Sequence, residues 1–223
     1  HKEFHVPGFL RIDSPFYRAW TGAADLVIIN ALTLIGCLPV VTAGAALSAC
    51  ARITMDMVRD EDGYIVRTWW RIFRGELIRS LAWWLPTVGV LALAVWENRT
   101  VAAGAESGAI GANPAGLGAL SGLLLAGGAI VVGVLVWLVP LTARFENTTA
   151  AHAANAVRLA VGCLGRTATC LVVTSAPAIL ACAVPQSRAA VMWFMVLLGL
   201  AFQGYLMALI QRSVIDRLRR ASG

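Results

Sequence analysis

The sequence predicts an all-α integral membrane protein: one domain over residues 1–223, a bundle of about six transmembrane helices with two cytoplasmic interfacial helices. Three observations predict it. Hydrophobic residues make up 59% of the chain and charged residues 13%, with a mean hydropathy of +0.75, too apolar for an ordinary soluble domain. Apolar runs of the length needed to cross about 30 Å of hydrocarbon recur along the chain. Arginines concentrate in the segments on one side of those runs.

The runs place spans near 16–38, 42–58, 80–97, 116–141, 167–184 and 190–211. The second is short, follows Leu38-Pro39 directly and carries Arg52 and Asp56. A tilted span, a re-entrant piece and half of a broken helix all fit it, and a five-span bundle is the rival. Pro86 interrupts the third run. The small, polar stretch at 98–115 reads as an outer connector, in which Asn98-Arg99-Thr100 is a chance sequon. Gly118 and Gly122 form a GxxxG on the fourth span, and Gly44 and Ser48 a small-xxx-small pair on the second, both helix-packing signals. The start at His1 shows no basic segment, short apolar core and cleavage site in series, so no removable signal peptide is expected.

Six spans with a cytoplasmic N-terminus leave only Arg99 and Arg188 outside and the other 16 of 18 basic residues at or near the inner side. That bias places both termini in the cytoplasm and accounts for the net charge of +6 through anionic headgroups, without nucleic acid as a partner. A five-span arrangement spoils it.

Amid these spans stands RDEDGYIVRTWWRIFR, residues 59–74. Asp62-Gly63 is a turn signal, and acids such as Asp60 ahead of Tyr64 favour a helix start by opposing the macrodipole. A helix over about 64–79 puts Arg67, Arg71 and Arg74 on one face and Phe73 among the apolar residues of the others, with Trp69 and Trp70 placed as interfacial anchors. Two readings stand: an elbow helix on the lipid surface, or a docking helix for a cytoplasmic protein. A shift of 87 residues lays Arg71, Gly75, Leu77 and Arg79 on Arg158, Gly162, Leu164 and Arg166, and brings Arg59-Asp60-Glu61-Asp62 near Arg144-Phe145-Glu146-Asn147. This second inner loop, with Arg144, Glu146, Asn147 and Arg158, suggests an internal repeat of one plan: span, polar turn, amphipathic helix, span.

Charges inside spans mark sites by default, because burying them is costly. Asp25 and Arg52 both fall roughly 10–14 Å from the inner end of their spans, which fits an interhelical pair with Asp56 one turn from Arg52 as a second partner. Asn30 and Ser48 fit a hydrogen bond farther along. Such a set either fixes helix packing or lines a solute path.

Catalytic and metal chemistry find no footing. The five cysteines form no CxxC and lie in or beside apolar runs, where a thiol packs as a small hydrophobe, and the three histidines are scattered. Residues 59–63 lack the ligand spacing of a calcium loop, and no phosphate cradle, nucleophile elbow or HExxH occurs. No enzyme activity and no cofactor are expected.

Several segments in order resemble the YesL-like family of bacterial membrane proteins of unknown function: Asp13-Ser14-Pro15, Asp25-Leu26 with Asn30, Leu38-Pro39-Val40-Val41-Thr42 with Gly44-Ala45, Val58 through Tyr64, and Arg144-Phe145-Glu146-Asn147. LPVVTAGA combined with VRDEDGY is the specific part, and the resemblance covers nearly the whole chain. It implies the bacterial cytoplasmic membrane and an accessory or permease-linked role beside carbohydrate ABC importers, with permease, ATPase or binding-protein components as partners. It supplies no catalytic residues. The stretch from Asp60 to Pro86 is also similar in layout to the helix through which importer permeases contact their ATPases, although it lacks the Glu-Ala-Ala opening. The alternative is a stand-alone small transporter or channel whose path runs past Asp25, Asn30, Arg52 and Asp56.

Overall fold

A computed structural model describes residues 15–61, 63–106, 114–145 and 148–222. The secondary structure among them is helical: α1 (Pro15–Cys37), α2 (Ala43–Met57), α3 (Ile65–Glu106), α4 (Pro114–Arg144), α5 (Thr149–Gly162), α6 (Leu164–Ala183), α7 (Arg188–Phe194) and α8 (Leu200–Ser222). Short 3-10 turns, Val40–Thr42 and Pro185–Ser187, lead into α2 and α7, and a π-helical turn, Met195–Gly199, joins α7 to α8.

Among the described residues, five stretches are long and apolar enough to cross a membrane: Ala19–Cys37, Ile65–Gly104, Gly118–Arg144, Leu164–Ala183 and Pro185–Arg220. The expected span at 42–58 is not among them. It is α2, 15 residues long, or about 22 Å at 1.5 Å per residue. Its place is the middle of the bundle, with Ala45, Ala46, Ser48 and Ala49 fully buried. Small side chains let its neighbours approach that closely. A Cβ on Gly44 would lie 2.8 Å from the Cβ of Trp84, and one on Gly36 would lie 2.9 Å from the Cβ of Ala46. The Trp84 indole N–H donates to the Val40 carbonyl at 2.6 Å, and the Thr42 hydroxyl donates to Gly36 O at 2.7 Å, fixing the α1–α2 turn beside α3. From there α2 runs back until Arg52 and Asp56 share a groove with Thr68 and Arg71 near the start of α3.

The interfacial helix expected at 64–79 and the span expected at 80–97 are one helix, α3, 42 residues long and continuous through Pro86. Its length is about 63 Å. The physical reason is a buried stripe, Trp69, Phe73, Ser80 and Trp83, which crosses the expected junction at helical spacing. Gly75 alone, at about 1 kcal/mol relative to alanine, does not break it. The second expected amphipathic segment is separate. Thr148 caps α5 by accepting from Ala151 N at 3.3 Å, His152, Ala156 and Ala160 bury one face, and the helix ends before Cys163. The two segments related by 87 residues therefore differ: Gly75 lies inside a helix, and Gly162 closes one. Gly118 and Gly122 on α4 are exposed, and a Cβ at either would meet nothing within 4 Å, so this GxxxG packs no helix among the described residues.

Prolines inside α4 and α6 are repaired by α8. Pro140 and Pro177 have no N–H, so the carbonyls four residues back, Val136 and Val173, lose their helical donors. Gln211 Nε2 donates to Val136 O at 2.8 Å and Gln203 Nε2 to Val173 O at 3.2 Å. Both amides are buried. In lipid such a carbonyl has no water to turn to. Gln211→Leu should destabilise the protein by about 1–3 kcal/mol. In a Pro140→Ala background the loss should shrink, because the alanine N–H can reach the Val136 carbonyl. A double-mutant cycle from detergent unfolding checks this, and equal losses in both backgrounds would refute it.

Candidate functional site

The C-terminal ends of α2, α4 and α8 meet at one end of the bundle, where most of the arginines of the described residues lie. Arg144, the last residue of α4, has a buried side chain and donates through Nη1 to Asp56 Oδ1 at 2.5 Å and through Nη2 to Glu61 Oε2 at 3.3 Å. Arg59, also buried, donates from Nε and Nη2 to Asp216 Oδ1 at 3.1 and 2.7 Å. Arg219 approaches Glu61 at 3.5 Å. Guanidiniums at helix C-termini oppose the negative end of the dipole, so the same charges that link helices also complete them.

The turn after α2 brings Glu61 into this set. Arg59 N and Glu61 N both donate to Asp56 O at 3.0 Å, and Asp60 takes a left-handed conformation with φ 54°. Aspartate is among the few residues that tolerate that region. The left-handed position is thus Asp60 rather than Gly63, whose φ is ordinary. Asp62, Glu146 and Asn147 lie outside the described residues. Burial works against the Glu61 charge, but the Arg144 hydrogen bond and the charges of Arg144, Arg219 and Arg59 outweigh it and hold the carboxyl below its usual range.

The first turns of α3 divide the expected anchors. Trp69 is 1% exposed and Phe73 is buried, their rings stacked at 4.8 Å in the core with Ile29, Ala45 and Ala46. They are not surface anchors: the slot left by Gly36 and Ala46 takes the Trp69 ring. Trp70 is 47% exposed, with the Arg74 guanidinium 4.7 Å from its ring centroid. Tyr64, Arg67, Arg71 and Arg74 are exposed with it. Trp70, Tyr64 and Arg67 also border an open cavity of about 650 Å³ that includes Asp25 and Gly63. On α5, Arg158 is exposed.

The expected intramembrane polar set assembles in part, at the Arg52–Asp56 pair. Arg52 donates to Asp56 at 3.3 Å, as its helical spacing suggests, and to the Ala143 carbonyl at 3.1 Å, rather than reaching Asp25. Asn30 turns away from Ser48 to the π-helical turn, where its amide makes four hydrogen bonds, and the buried Ser48 hydroxyl finds no partner among the described residues. Asp25 and the Arg52–Asp56 pair line different cavities.

A second depression at the arginine end was not read from the sequence. A groove of about 270 Å³ between α2, α3 and α4 is lined by Arg52, Asp56, Thr68, Arg71, Glu76 and Arg79. Glu76 and Arg79 also border a smaller recess with Trp83 and His152. Burial, reinforced by the Arg79 charge and opposed by a backbone bond at Phe145, pushes the His152 pKa down. The signals existed, in Arg71 and Arg79 on one side of α3 and Arg52 on α2, but only the return of α2 beside α3 joins them.

The fold and the apolar helices define a multi-pass α-helical membrane protein. Within it, residues 26–97, from the middle of α1 through most of α3, match a family model described as "Protein of unknown function, DUF624". Neither the curated proteins nor the solved structures compared contain a match. The matched stretch holds Asn30, the LPVVTAGA turn, Arg52, Asp56, the Asp60 turn and the exposed face of α3.

Proposed function

We propose that this protein is an accessory, permease-linked subunit of a carbohydrate ABC import system in the bacterial cytoplasmic membrane, docking a partner through the start of α3. The observation that carries this reading is the division of that segment: Trp69 and Phe73 are spent on the core, while Tyr64, Arg67 and Trp70 stay exposed beside an open cavity, with the exposed Arg74 over the Trp70 ring. Exposed aromatics interleaved with arginine are the composition of protein interfaces. The resemblance to the YesL-like family, which falls within the matched family, supports the carbohydrate-importer setting. In this reading α2 serves as the return limb of a six-pass arrangement, both termini are cytoplasmic, and the arginine end faces inward. A self-sufficient transporter draws less support, because Asn30 and Arg52 are engaged in holding helices together.

A photo-crosslinking amino acid at Trp70, activated in native membranes, tests this. The expected product is an adduct with a permease or ATPase subunit, absent when the same residue replaces Arg158. Adducts with lipid alone would overturn the docking role.

A further inference from the structure

We propose that the groove between α2, α3 and α4 binds a phosphate group of the kind carried by anionic phospholipid headgroups. This inference does not depend on the docking role. Three guanidiniums, Arg52, Arg71 and Arg79, line the groove against two carboxylates, Asp56 and Glu76. Asp56 is already shared by Arg52 and by Arg144 from outside the groove, and Arg79 lies 3.6 Å from Glu76. Arg71 makes no ion pair among the described residues, although it faces the same space. The groove therefore carries a surplus of positive charge and a guanidinium without an anion, and a planar guanidinium fits phosphate oxygens two at a time.

Three further features favour a group entering from the side. Gly75 lines the groove, and a Cβ there would meet nothing within 4 Å, so the backbone leaves room for a headgroup at that point. In the adjoining recess Trp83 is buried with an indole N–H that finds no acceptor among the described residues, a further donor beside Glu76 and Arg79. Just along α3, Ile78 is 83% exposed and Leu85 is 49% exposed, an apolar flank on which acyl chains can lie while the phosphate reaches the arginines. Basic pockets between transmembrane helices hold anionic headgroups by this combination.

The test uses the full chain, purified in detergent and depleted of lipid. Thermal stability is followed with phosphatidylglycerol, phosphatidylcholine or inorganic phosphate added separately. Phosphatidylglycerol should raise the melting temperature and phosphatidylcholine should not. Arg71→Gln should weaken the effect about tenfold in lipid concentration, the equivalent of one charge-assisted hydrogen bond. Gly75→Trp, which fills the groove without removing a charge, should abolish the preference, whereas Arg158→Gln on α5 should leave it unchanged. Protection by inorganic phosphate at matching concentrations would support the phosphate site and assign it to the free ion. Protection by phosphatidylglycerol alone would assign it to lipid. Equal response to the two lipids, or a preference that survives both Arg71→Gln and Gly75→Trp, overturns the proposal.

Discussion

Asn30→Leu is expected to destabilise the protein by about 3 kcal/mol or more, because one change removes four hydrogen bonds between a fully buried side chain and helix backbone. The Asn30 amide donates from Nδ2 to Met195 O at 3.1 Å and Val196 O at 2.8 Å, and its Oδ1 accepts from Leu200 N at 2.8 Å and Ala201 N at 3.1 Å. Met195 and Val196 open the π-helical turn Met195–Gly199, where the ordinary helical ladder is displaced, and Leu200 and Ala201 follow it. The side chain is fully buried, so no water replaces it. Leucine keeps much of the volume and removes every one of these bonds. Asn30→Asp keeps the acceptor and at most one donor, the O–H of a neutral carboxyl, and should still destabilise the protein. Reversible unfolding measures the loss, and hydrogen exchange at Leu200 and Ala201 should quicken with it. A loss under about 1 kcal/mol, with unchanged exchange at those amides, would show that the turn holds itself.

Arg144→Gln should cost about 2–3 kcal/mol and loosen the arginine end. Removing one partner of a buried ion pair commonly costs about 3–5 kcal/mol. The lower figure applies because Asp56 retains Arg52, and Glu61, with its side chain 47% exposed, retains Arg219 and water. The substitution also has a pH signature. The folded state holds the Glu61 carboxyl below its ordinary value of 4.5, so this contact stabilises the protein fully above that value and is lost as pH falls through the lower folded one. The variant should therefore lose less stability than the parent on acidification through that window. Matching acid profiles, or a neutral-pH loss under about 1 kcal/mol, would remove Arg144 from the role of linking α2 to α4.

The class of the protein was legible because lipid imposes it on composition: long apolar stretches and few charges leave little besides a helical membrane bundle. The elbow at Arg59–Tyr64 was legible too, through its acids and the basic, aromatic segment that follows. The content of the site was less so. Trp69 and Trp70 are neighbours with the same side chain, and nothing within RTWWRIF says which one enters the core. Likewise the acid nearest to Arg52 by depth, Asp25, was the wrong partner, while the acid one helical turn away, Asp56, was the right one. Gln203 and Gln211 stand in an apolar run whose polar positions say nothing on their own about a partner. Their spacing of eight residues and the two prolines in earlier helices were visible signals for their role.

By itself the sequence determined that the chain forms apolar helices, that its arginines collect at one end of them, and that α3 begins with a basic, aromatic turn. Those properties follow from solvent and local spacing, which each segment carries within itself. Only the tertiary structure decided that α2 is a short central helix, that α3 runs unbroken from the elbow through Pro86, and that Asn30 serves the π-helical turn. Each of these depends on a surface contributed from elsewhere in the chain: the slot at Gly36 and Ala46 for Trp69, the face of Trp84 for Gly44, and backbone 165 residues away for Asn30.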